Sequence, residues 1–86
     1  MAQVILEVPQ YRPETGIRLQ WEDNSLVELA VDRGEVGLAA NSAGLTSLAI
    51  QLLTLAQESV PSGRHLHFEC GSELRNGPVR LVVIKA

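Results

Sequence analysis

One cysteine, three aromatic side chains and seven lysines and arginines among 86 residues are the shortages of this chain, and each closes off a class of function. Cys70 has no partner for an internal disulfide, which fits a reducing compartment and removes any zinc site built from several thiolates. It reads as a small buried hydrophobe. Tyr11, Trp21 and Phe68 are too few to make a stacking platform for bases, and the basic residues are scattered rather than gathered into the stripe that phosphate binding needs. With ten acidic residues the net charge is −3, so nucleic acid is not an expected partner. A mildly acidic surface suits a basic protein partner and serves solubility equally well. No apolar run approaches the roughly 18 to 20 residues that cross a bilayer, so no membrane partner is expected either. The opening residues Met1 to Glu7 lack the basic start and small-residue cleavage site of a signal peptide, and the expected location is cytoplasmic.

Signatures of chemistry are equally scarce. No glycine-rich run sits between a strand and a helix with a following lysine, and no Gly-x-Ser-x-Gly elbow exposes Ser42 or Ser47 as a nucleophile. No cofactor is implied, and no enzymatic activity is expected. What is present is an ordinary globular composition, 45 % hydrophobic and 20 % charged, in a length that suits one small domain over residues 1–86.

The organising segment is Asn41 to Glu58. Leu45, Leu48, Ala49, Leu52, Leu55 and Ala56 recur at helical spacing and predict a core-facing stripe, with Asn41 or Ser42 capping the first turn. Pro61 and Ser62-Gly63 place the helix end near Glu58 or Ser59. Thr46, Ser47, Gln51, Thr54, Gln57 and Glu58 then form the wet face, so a charge at Leu52 is expected to unfold the domain and a charge at Thr54 to be silent. Ile50 falls on the wet face and Leu53 on the boundary, where they are single exposed apolar residues or contacts for a partner.

The remaining segments read as strands. Gln3 to Val8 is a short strand ended by Pro9, and Pro9 to Gly16 is a loop. Ile17 to Glu22 alternates strictly, with Ile17, Leu19 and Trp21 on one face; Leu26 to Val31 alternates again after a turn at Asp23 to Ser25. A two-residue turn at Arg33-Gly34 sets Val31 opposite Val36, Leu29 opposite Leu38 and Val27 opposite Ala40, which completes a three-stranded meander with one apolar face. After the helix, Arg64 to Cys70 turns Leu66, Phe68 and Cys70 one way and His65, His67 and Glu69 the other. Val79 to Ile84 closes the chain as a strand apolar on both faces, as for a central strand or one covered by a second subunit. The predicted architecture is α+β: a mainly antiparallel two-layer fold of β-meander, helix and β-hairpin, with the helix packed on one face of the sheet.

His65, His67 and Glu69 are the one constellation with a chemical reading. Two-residue spacing on a strand face sets their side chains about 6.5 to 7 Å apart at Cβ, and two imidazoles with a carboxylate are acceptable metal ligands. No second cluster completes a coordination sphere, so no metal site is assigned and the three read as a solvated or partner-facing surface.

The run Asn41-Ser42-Ala43-Gly44-Leu45-Thr46-Ser47-Leu48-Ala49, continued by Leu52 to Gln57 and by Val60-Pro61-Ser62-Gly63-Arg64-His65-Leu66-His67, resembles the bacterial immunity protein 32 family. Leu74-Arg75-Asn76-Gly77 and Leu81 to Ile84 extend the likeness, which runs from about residue 34 to 86; Pro78 departs from the family pattern, which has Ser at that point. The resemblance implies a small cytoplasmic protein that binds a cognate polymorphic toxin and blocks it, without an active site of its own. On that reading His65, His67 and Glu69, with Ile50 and Leu53, are the partner-binding candidates. The alternative is a homodimer or larger homo-oligomer that binds a small ligand or regulates another protein, with Val82, Ile84, Ile50 and Leu53 at the subunit contact.

Overall fold

The computed structural model describes residues 2–68 and 80–86, and within them it is an α+β arrangement of two antiparallel hairpins and one helix. Strands β1 (Val27–Asp32) and β2 (Glu35–Ala40) form the first hairpin, helix α1 spans Ser42–Leu55, and β3 (His65–Phe68) pairs with β4 (Leu81–Ile84). The first hairpin has the expected register, with Val31 opposite Val36, Leu29 opposite Leu38 and Val27 opposite Ala40. Its turn carries positive φ at both Arg33 (51°) and Gly34 (79°), the mirror-image turn whose twist matches the strands. Only the base of this hairpin is covered: Val27 and Leu29 are buried, whereas Val31 and Val36 near the tip stay exposed.

Asn41 joins the hairpin to the helix. Its Oδ1 accepts from the Gly44 amide at 2.8 Å, capping α1, and also from the Leu26 amide at 3.0 Å; its Nδ2 donates to the Asn24 carbonyl at 2.8 Å. Gly44 permits the close approach that follows, because a Cβ there would lie 2.5 Å from the Leu26 carbonyl oxygen and 3.0 Å from Val27 Cγ2. The core gathers Tyr11, Val27, Leu29, Leu48, Leu55, Val60, Leu66 and Phe68, with the Trp21 ring edge-on to Phe68 at 6.0 Å between centroids.

Three expectations change. The stretch Ile17 to Glu22 is not a strand, so the meander is reduced to a hairpin and the sheet is divided in two. Its alternation is nevertheless real: Ile17, Leu19 and Trp21 are half-buried against the core while Arg18, Gln20 and Glu22 are exposed. The backbone of this stretch finds partners on the helix instead of a neighbouring strand, since the Glu22 amide donates to Ser47 Oγ at 2.9 Å and Gln51 Nε2 donates to the Gln20 carbonyl. Gln3 to Val8 likewise forms no strand, and Val4 and Ile5 are exposed.

The second change is the helix end. The helix stops at Leu55 with Ala56 as its cap, short of Glu58. Gln57 is diverted from it: Oε1 accepts from the Tyr11 amide at 3.0 Å, Nε2 donates to the Pro9 carbonyl at 2.7 Å, and its own carbonyl accepts from Val60 N–H at 3.0 Å and from Lys85 Nζ. The loop at residues 9–16 is thus tied down at Tyr11, whose hydroxyl also accepts from Arg64 Nη2 at 2.6 Å.

The third concerns the face of α1. Gly44, Ser47, Leu48, Gln51, Thr54 and Leu55 are buried, so Leu48 and Leu55 alone keep the fully buried place expected for the stripe. Ser47 and Gln51 are each 1 % exposed, whereas Leu45 and Leu52 are 52 % and 46 % exposed. At 3.6 residues per turn the buried face is rotated by roughly 100° from the apolar stripe. The cause is the irregular chain from Pro9 to Ser25 lying on the helix: main-chain groups there need polar partners, and Ser47, Gln51 and Gln57 supply them. The last strand pairs over Leu81–Ile84 with β3, while Glu69, Cys70 and Val79 lie outside the described residues.

Candidate binding surface

The apolar stripe that the N-terminal segment leaves uncovered does not face open solvent as a flat strip. Leu45, Leu48, Ala49 and Leu52 form one wall of a groove, and Leu38 from β2, Phe68 from β3 and Leu81 and Val83 from β4 form the rest. Its volume is about 330 Å³, at the lower end of the range for small-ligand sites, and every described lining residue is apolar. Residues from three strands meet the helix there, and on the second hairpin this follows from alternation along the strand: Leu66 and Phe68 point inward from β3, and opposite them in register stand Val83 and Leu81. Among the described residues the lining offers no donor, acceptor or charge, and its chemistry is that of a surface that accepts aliphatic or aromatic side chains.

The other face of the same hairpin carries the histidines. His65 stands opposite Ile84 and His67 opposite Val82, all four exposed, which makes a mixed surface of two imidazoles and two aliphatic side chains. The imidazole centroids are 4.7 Å apart, and the two ring planes are inclined at 41°. His65 Nδ1 lies 3.2 Å from the Gly63 carbonyl oxygen. Glu69, the third member expected on this face, lies outside the described residues, and among those described no group of three His, Cys, Asp or Glu side chains is placed to hold a metal.

Of the two helix positions singled out in the sequence, Ile50 is half-buried and Leu53 is 46 % exposed beside the groove wall. The structure therefore separates the candidates. The histidines lie on the outer face of the second hairpin, and the groove opens on its inner face together with the helix. Sequence reasoning did not select Leu38, Leu45 and Leu52 for binding, because their spacing is that of core residues. Only the excess of apolar stripe over the available covering segments distinguishes them, and that requires knowing where the N-terminal chain lies.

None of the described helices is long and apolar enough to cross a membrane. A search of curated proteins and of solved structures finds nothing that matches this chain. A family model does match, that of immunity protein 32, over residues 35–86. The matched region holds β2, α1, β3 and β4, and with them every residue that lines the groove. Over more than half its length, then, the chain carries the pattern of one family, and it belongs to the immunity protein 32 family.

Proposed function

We propose that this protein neutralises a cognate bacterial toxin by binding it, without catalysing a reaction, and that the toxin docks on the apolar groove between α1 and the two hairpins. The family supports the toxin as occupant. The observation that carries the choice of surface is the division of α1 into two faces: its polar face is filled by the chain's own residues 9–25, and its apolar face, within the matched residues 35–86, keeps Leu45 and Leu52 exposed along a groove that none of the described residues fills. A contiguous apolar surface on a small protein marks an interaction site, and a partner presenting aliphatic or aromatic side chains is its complement. Leu53 extends the surface along the helix. The mechanism is occlusion: the bound protein covers the toxin's working surface, and the net charge of −3 favours approach to a basic one.

The test is co-expression with the toxin encoded beside this protein's gene. Wild-type protein is expected to restore growth and to co-purify with the toxin, and a Leu45→Asp, Leu52→Asp variant is expected to do neither while remaining folded. Growth restored equally by the variant would remove the groove from the account; failure of the wild type to restore growth or retain the toxin would remove the function. A homodimer that retains no toxin would point instead to a self-associating module.

A further inference from the structure

We infer that His65 and His67 form a chelating half-site for a divalent transition-metal ion, Cu²⁺ above all, on the outer face of the β3–β4 hairpin. Sequence spacing alone left these residues as a wet surface; the structure adds two observations. The first is separation. A metal held at about 2.0 to 2.1 Å by one nitrogen of each ring lies roughly 3 Å from each ring centre, so two imidazoles at a tetrahedral or square-planar angle have centroids roughly 4.5 to 5 Å apart. The observed 4.7 Å falls in that interval, with both side chains exposed on one strand face where rotation about their side-chain bonds can turn a nitrogen of each toward one ion.

The second is the tautomer of His65. Its Nδ1 lies 3.2 Å from the Gly63 carbonyl oxygen, which can only accept, so the contact suits the tautomer with hydrogen on Nδ1, the form in which Nε2 can ligate a metal. A ligating histidine whose other nitrogen donates to a backbone carbonyl is the usual outer arrangement of a metal site, because the bond fixes ring orientation and raises basicity. The carbonyl is itself held in place: the Gly63 amide donates to the Lys85 carbonyl at 2.8 Å, and Lys85 N–H donates to the Arg64 carbonyl at 2.8 Å, continuing the β3–β4 ladder to the base of the hairpin. Two imidazoles favour borderline ions, and among divalent first-row metals affinity for such a site is greatest for Cu²⁺. Two protein ligands leave positions open that water takes, or that a donor from a bound protein takes.

This site does not rest on the toxin reading, since it lies on the face of the hairpin opposite the groove. The experiment is a titration of the full chain with Cu²⁺ alone, followed by paramagnetic broadening of backbone amide signals. Broadening is expected first at residues 65–67 and at their cross-strand partners Val82 to Ile84, with one ion per chain. His67→Asn should weaken binding by roughly tenfold or more, because the second imidazole no longer adds through chelation. Both histidines are exposed, so the variant is expected to melt as the wild type does, and the two effects stay separable. Broadening confined to the N-terminal residues, or unchanged Cu²⁺ affinity in both His65→Asn and His67→Asn, would overturn the proposal.

Discussion

At the scale of single residues, Asn41 and Gly44 decide how the helix meets the hairpin. Asn41 satisfies the Gly44 amide, the Leu26 amide and the Asn24 carbonyl with one side chain. Asn41→Ala removes a cap and a second hydrogen bond together, and the expected loss is about 2 kcal/mol, read as a lowered midpoint in thermal or urea denaturation. Gly44 acts by being small: the Cβ of Gly44→Ala would meet backbone rather than the far end of a flexible side chain, so the helix must move off the hairpin. A destabilisation of about 1 to 3 kcal/mol is expected in the same melt, and an unchanged midpoint would mean that the helix sits farther from Leu26 than the structure places it. Asn41 was visible in the sequence as one of two candidate caps, with Ser42. Its second role, and that of Gly44, in bringing residues 24–27 against the helix was not, because it depends on a contact that no local pattern encodes.

At the scale of the helix, the periodicity of apolar residues and the pattern of burial disagree, and the disagreement is testable. Thr54 is 5 % exposed and donates to the Ile50 carbonyl at 2.7 Å, while Leu52 is 46 % exposed in the groove wall. Thr54→Asp therefore places a charge where nothing pairs with it, with an expected cost of about 3 kcal/mol or more. Leu52→Asp should lower the melting midpoint by only a few degrees, about what 1 kcal/mol does in a domain of this size. The apolar stripe alone predicts the reverse order, so the two melts decide between them. Much of the fold was legible at this scale: the Arg33-Gly34 hairpin and its register, the cap at Asn41, and the inward Leu66 and Phe68 against the outward His65 and His67 all follow from local alternation and turn chemistry. What was not legible is the identity of the neighbour on each helix face. Ser47 and Gln51 look like residues that want water, yet a main-chain amide or carbonyl from an irregular segment meets the same need, and Ile17 to Glu22 provides both.

At the scale of the whole molecule, the chain covers one side of its only described helix with its own N-terminal segment, and no described segment fills the groove on the other. Gln57 fastens the near end of that segment at the Tyr11 amide, and Ser47 with Gln51 fasten the far end, all three being side chains that the sequence presents as polar surface. The groove was legible only as an excess of leucines. Its lining is drawn from β2, α1, β3 and β4, elements separated by as much as 45 positions between Leu38 and Val83, and their convergence is a property of the fold. The measurement that bears most directly on this division is the affinity of purified Leu52→Asp protein for the cognate toxin, determined by calorimetry beside its melting midpoint. A near-native midpoint is expected, with affinity reduced by roughly 30-fold or more, the loss of one buried anchor worth about 2 kcal/mol. Native affinity in that folded variant would contradict it and move the toxin to another face of the protein.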